Sequence, residues 1–174
     1  MSRPGAVTFK GNPLTLVGEE VKAGQPAPAF KLHRYADGKM SEVTLETVRG
    51  KPTILNVVPS LDTPVCQIQT KKFNESLAAM GDKINAVTIS LDLPFAMNRF
   101  CGAEKITSLI SASDYQDRSF GKNWGMLIDE LKLLARGVFV IDANGKVVYA
   151  KQVKEVAEEP NYDEPLAALK SLVK

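Results

Sequence analysis

Soft metal ligands, charge of one sign and long apolar runs are what this sequence has least of. Two cysteines and one histidine in 174 residues are too few for a secreted disulfide framework, and Cys66, Cys101 and His33 show none of the close spacing that zinc sites use. No uncharged stretch of about 18 apolar residues is present to span a bilayer. Residues 1–20, MSRPGAVTFKGNPLTLVGEE, hold no apolar core of signal-peptide length. The expected compartment is therefore the cytoplasm, where a cysteine pair is redox-active or simply buried. Lys and Arg number 22 against 20 Asp and Glu, and no run of like charge resembles a nucleic-acid arm or a polybasic membrane patch. Neither nucleic acid nor membrane is expected as a partner, which leaves a small-molecule substrate. GEEVKAG and GNPLTLVG match no dinucleotide or Walker phosphate loop, so no cofactor is expected on that ground.

What is present is an ordinary globular chain, 44% hydrophobic and 24% charged, long enough to bury a core without staples. One domain over residues 1–174 is expected. VTFKGNPLTLV (7–17) reads as a β-hairpin around Gly11, Asn12 and Pro13, followed by the Pro-rich connector AGQPAPAF. FKLHRY and SEVTL form a second strand pair about the turn ADGK. TILNVV (53–58) is a continuous β-branched run of the kind buried on both faces of a sheet. From Pro64 to Met80 the residues Val65, Ile68, Phe73, Leu77 and Met80 recur at helical spacing, with Gly81 placed to end the helix. INAVTISL (84–91) is strand-like again. The unit 53–91 is thus β-α-β with parallel strands and a right-handed crossover. Further on, the pattern predicts a short helix over 94–103, a strand in ITSLISAS, and a helix in YQDRSFGKNWG. A strand hairpin, GVFVID and VVYAKQV, and a final helix in YDEPLAALKSLV complete the chain. That order predicts an α/β thioredoxin-like fold: a central mixed β-sheet flanked by helices, with an added N-terminal hairpin.

The stretch PSLDTPVC puts Thr63 at a helix N-cap, Pro64 at the first helical position and Cys66 in the first turn. The reactive form of cysteine is the thiolate, and the partial positive charge of a helix N-terminus favours it. The Thr63 hydroxyl is expected beside the Cys66 N–H or sulfur. From position alone, a small buried hydrophobe is as good a reading of Cys66 as a reactive thiol. Cys101 follows 35 positions later, too far for a C-x-x-C motif. Parallel pairing nevertheless delivers both cysteines to one sheet edge, and a bridge between them requires the 94–103 helix to unwind locally. Arg136 opens GVFVID, and if that strand runs antiparallel to 53–58, its guanidinium falls at the same edge, able to stabilise a thiolate. His33 and Trp124 are expected to be strand and core residues, Arg99, Lys71 and Lys72 solvated ones.

Pro59, Thr63 and Cys66 match the Pro-x-x-x-Thr-x-x-Cys signature of the peroxiredoxins, and Arg136 in ARGVFVID matches that family's active-site arginine. NVVPSLDTPVCQIQTKKFNE together with LDLPFAMNRFCGAE resembles the thiol peroxidases, an atypical two-cysteine subgroup, and the similarity covers nearly the whole chain. The resemblance implies a hydroperoxide substrate, Cys66 as peroxidatic and Cys101 as resolving cysteine. It also implies a disulfide within one chain, thioredoxin as reductant, a homodimer, and no metal, haem or flavin. The rival readings are a protein disulfide oxidoreductase on the same fold and a redox-inert binding domain.

Overall fold

The computed structural model describes residues 1–174. Two strands, β1 (Ser2–Phe9) and β2 (Asn12–Val17), pair antiparallel. This hairpin starts earlier than the expected position 7. β3 (Lys31–Ala36) and β4 (Lys39–Thr44) form the second hairpin, and a single helical turn, α1 (Leu45–Val48), follows it. That turn is too short to show a period; a reciprocal cap between Thr44 and Thr47 makes it. β5 (Thr53–Val57), α2 (Pro64–Leu77) and β6 (Asn85–Ser90) are the expected unit, with β5 and β6 parallel. The α-helix stops at Leu77, and a 3-10 segment over Ala78–Lys83, in which Gly81 takes φ of +53°, completes the descent to β6.

α3 (Pro94–Ala103) falls where the sequence places it. β7 (Ile110–Ser113) begins later than expected, and α4 (Ser119–Asn123) is only five residues long. β8 (Leu127–Ile128) and β9 (Leu133–Leu134) leave no alternating pattern in the sequence because each spans only two residues. β10 (Gly137–Ile141), β11 (Val147–Gln152) and α5 (Asp163–Leu172) end the chain. The main sheet is mixed and seven-stranded, in the order β11-β10-β5-β6-β7-β3-β4, and β1-β2-β8-β9 form a second sheet of four.

The two-residue period of the central strands sorts their side chains onto two faces. Leu55, Val57, Val87, Ile89 and Phe139 join the larger core with the N-terminal hairpin and the Phe120–Trp124 stack, whose rings lie 5.1 Å apart. Ile54, Ala86, Val138 and Val140 face the other way, against Phe73 and Leu77 of α2 and Leu169 of α5. Asn56 and Arg136 share the parity of this second set, which directs both toward α2. β10 runs antiparallel to β5 with Gly137 opposite Val57. Arg136 therefore stands at the edge where β5 ends and the chain turns into α2.

The hairpin is clasped to the 153–157 segment by Glu155. Its carboxylate accepts from the Thr8 hydroxyl (2.7 Å) and from the N–H groups of Lys10 (2.8 Å) and Gly11 (3.1 Å). These bonds, the Thr8 hydroxyl first, hold its acidity at about 2. A carboxyl more acidic folded than unfolded stabilises fully above the ordinary carboxylate range, and that contribution is lost as pH falls through the folded value. Glu155→Gln is accordingly expected to lower the urea midpoint at neutral pH, with the difference from wild type vanishing as pH approaches 2.

Candidate active site

β5 is buried along its whole length, so its exit must turn at once, and Pro59 makes that turn. Thr63 is the N-cap of α2 in extended conformation, with Pro64 at the first helical position. Cys66 thus occupies the first turn of the helix, as the sequence requires. One expectation fails: the Thr63 hydroxyl makes no cap bond and donates instead to the Ser60 carbonyl at 2.8 Å. The Ser60 carbonyl also accepts from Thr63 N–H (3.2 Å), so the turn closes on itself and draws the hydroxyl away from the helix end. Of the first-turn amides, Gln67 N–H bonds back to the Thr63 carbonyl, while those of Val65 and Cys66 meet no protein acceptor. They are the donors a helix N-terminus offers to an incoming oxygen.

The Cys66 sulfur is fully buried, against Val58, Leu61 and Met97. It is not sealed in hydrocarbon alone, because Arg136 donates to it from Nη2 at 3.4 Å. The same guanidinium donates from Nη1 to Gln69 Oε1 (2.9 Å) and from Nε to the Val156 carbonyl (3.0 Å). Gln69 is oriented in turn: its Nε2 donates to Asn56 Oδ1 (2.6 Å), and Asn56 Nδ2 donates to the hydroxyls of Thr70 and Thr88 (3.1 Å each). Since Arg136 can only donate, the Gln69 oxygen must face it; the Gln69 amide then faces Asn56 Oδ1, which leaves Asn56 Nδ2 to donate to the two threonines.

Gln69 and Asn56 escape the sequence reading. The buried residues of α2 are Cys66, Gln69, Thr70, Phe73 and Leu77, whereas Ile68, counted above as part of the apolar stripe, is 42% exposed. Polar residues on the inward face shifted the apparent stripe. The lone Asn inside TILNVV was the available signal. Gln69→Leu strips a partner from both Arg136 Nη1 and Asn56 Oδ1, and each buried unpaired group costs about 1–3 kcal/mol. A loss of that order is expected in urea unfolding, with slower alkylation of Cys66 once the guanidinium is no longer pinned.

Both cysteines are free thiols, and Cys101 lies on α3 in partial exposure. It packs with the second core cluster, while Phe100 beside it touches both that cluster and the one around Cys66. Burial pushes the Cys101 thiol up, partly offset by the Ser111 hydroxyl and the charge of Arg34. The structure therefore sets Cys66 against a cation and places Cys101 where burial favours its thiol form. His33 lies in β3, 7% exposed and edge-on to Tyr115, and Trp124 is core, its Nε1 donating to the Pro28 carbonyl at 3.0 Å. Neither approaches Cys66.

A pocket of about 470 Å³ opens at the same edge. Phe9, Val65, Leu131 and Leu133 give it apolar walls, and Ser60, Thr63 and Arg136 are its polar lining.

A buried free thiol at a helix N-terminus beyond a parallel strand, with a guanidinium on the sulfur, is the arrangement of a cysteine-based redox protein of the thioredoxin-like class. Residues 22–166 match the redoxin family. The chain is 52% identical over 168 residues to the thiol peroxidase of Bacillus subtilis (strain 168), covering 97% of this chain and 98% of that protein. It is 47% identical to the thiol peroxidase of Staphylococcus haemolyticus, over 95% and 98% of the two chains. A crystal structure of a peroxiredoxin-like protein from Aquifex aeolicus superposes with a TM-score of 0.85 at 40% identity, covering 97% of this chain and 98% of that one. This chain belongs to the redoxin family and, within it, to the thiol peroxidases.

Proposed function

We propose that this protein reduces hydroperoxides at Cys66, with Cys101 closing the cycle, and that one domain spanning residues 1–174 does so in the cytoplasm. That it is a peroxidase follows from its family; the roles of the individual residues are our reading. The observation that carries it is the guanidinium on the Cys66 sulfur. Arg136 is only 2% exposed, and no carboxylate lies within ion-pair distance of it. A buried cation is costly unless paired; Glu159 feels this charge from a distance, but among the groups the guanidinium touches only the sulfur of Cys66 is able to carry negative charge.

The thiolate attacks the terminal oxygen of ROOH; the S–O bond forms as the O–O bond breaks, leaving sulfenic acid and an alkoxide that takes a proton to become ROH. Arg136 and the unpaired Val65 and Cys66 N–H groups face the developing charge, with Thr63 beside them. Pro59 and Pro64 shape the loop. The Cys101 thiol then attacks the sulfenic sulfur, its proton leaves with the hydroxyl as water, and the disulfide that results blocks oxidation to sulfinic acid. A thioredoxin-type reductant, by this reading thioredoxin itself, restores the two thiols. The homodimer is proposed on the family resemblance alone.

The apolar pocket favours hydroperoxides with an apolar R group. Leu131, 43% exposed at its wall, gives the test. Leu131→Glu should raise KM for an alkyl hydroperoxide while leaving hydrogen peroxide turnover near wild type; equal effects on both substrates would remove the pocket from the reading. The disulfide-oxidoreductase alternative is weaker, because the two cysteines stand 35 positions apart on different helices and form no C-x-x-C pair. Insulin reduction by this protein at a rate rivalling peroxide reduction would favour it.

A further inference from the structure

Asp92 connects the two halves of the reaction and is used by neither in the account so far. It lies between β6 and α3. Its Oδ1 accepts from the Ser60 hydroxyl (2.7 Å), and its Oδ2 from the Leu61 N–H (2.7 Å) and the Ser90 hydroxyl (2.7 Å). Ser60 is the residue whose carbonyl holds Thr63, and its hydroxyl also accepts from Asp62 N–H at 3.2 Å. One carboxylate therefore shapes the turn ahead of Cys66 and ties it to the root of the helix that carries Cys101.

The two ends of α3 are held differently. Pro94, its first residue, is buried close to the Asp92 anchor, where three bonds run to an ionised acceptor. Near the other end stand Cys101 and Gly102. There Glu104 pairs with Lys71 at 2.8 Å, both side chains being at least a third exposed, an ion pair of the kind worth little; the stronger tie, Asn74 Oδ1 accepting from the Thr107 and Ser108 N–H groups, holds the chain beyond the helix. Glycine also disfavours helix. The helix should fray from the Cys101 end while its root stays fixed. The distal residues gain reach as they unwind, from about 1.5 Å per residue in helix to about 3.3 Å extended.

We propose that Asp92 is a positioning residue for both half-reactions: it holds the Ser60–Thr63 turn in the shape that receives peroxide, and it pins the root of α3, so that Cys101 reaches Cys66 by unwinding of the distal part of that helix alone. The proposal rests on the assignment of Cys66 and Cys101 above. It predicts that loosening the anchor moves two rates in opposite directions, slowing Cys66 oxidation because the turn is less ordered and speeding disulfide formation because the helix is freer.

The experiment is rapid-mix mass spectrometry of reduced wild type, Asp92→Asn and Asp92→Ala with one equivalent of hydroperoxide, following sulfenate, disulfide and sulfinate on Cys66. Asparagine keeps one acceptor oxygen, and alanine none, so the effects should be graded. In Asp92→Ala the oxidation step is expected to fall on the order of tenfold to a hundredfold, as misplacement of reacting groups does, while the sulfenate converts to disulfide faster and the sulfinate fraction drops. Should Asp92→Ala not fold, the Asp92→Asn rates decide alone. A fall in both rates would mean a general structural role and overturn the proposal, as would no change in either. If wild type itself forms no sulfenate on Cys66, the cysteine assignment fails instead.

Discussion

Cys66→Ser is expected to abolish peroxide consumption, and Cys101→Ser to complete one turnover and stop with a sulfenic acid on Cys66. The asymmetry is electrostatic. The Cys66 sulfur receives a guanidinium hydrogen bond at 3.4 Å in the first turn of α2, at the positive end of the helix dipole. Cys101 sits near the far end of α3 with its thiol form favoured by burial. A serine at 66 removes the group that accepts oxygen, and the only other thiol, Cys101, lies on another helix. A serine at 101 removes only the thiol that condenses with the sulfenate. In that variant excess peroxide should carry Cys66 on to sulfinic acid, a rung that wild type avoids by forming the disulfide. Intact-mass measurement of each variant after one and after ten equivalents of hydroperoxide separates the outcomes. Peroxide consumption by Cys66→Ser would reverse the roles assigned to the two cysteines.

The parts of this site that were legible in the sequence are those set by local chemistry and by strand direction. Thr63, Pro64 and Cys66 announce a helix start by residue type, and the buried run before them announces a parallel strand. Arg136 was placed correctly because the antiparallel course of β10 leaves no other edge for it. What escaped was set by side chains meeting across elements. The inward turn of Gln69 depends on Asn56, a strand residue 13 positions away, and both look like ordinary polar residues until their partners are known. The Thr63 hydroxyl suits a helix cap by residue type, but the Ser60 carbonyl, held in place through Asp92, competes for it. β8 and β9 exist because β2 offers a free edge for β8 to pair with, not because two residues have any pattern of their own.

Replacing Arg136 gives the second large effect, and the choice of replacement separates its roles. Arg136→Met fills much of the same volume without charge or donors. It leaves Gln69 Oε1 and the Val156 carbonyl without their partner, and it takes away the cation against which a thiolate is stabilised. Loss of a donor aimed at developing charge costs about 10²–10³ in rate, and peroxide turnover should fall by at least that order, with alkylation of Cys66 at pH 7 also slowed. Arg136→Lys restores charge, but one ammonium group cannot reproduce the planar fork that here reaches a sulfur, an amide oxygen and a carbonyl at once. Its alkylation rate should recover more than its peroxide turnover does, since alkylation asks only for an anionic sulfur, whereas turnover also needs a donor in register with the departing oxygen. If peroxide turnover falls while alkylation by Arg136→Met stays at the wild-type rate, Arg136 serves the oxygen and not the sulfur. Normal values of both would remove it from the site, and with it the cation on which the proposed role of Cys66 depends.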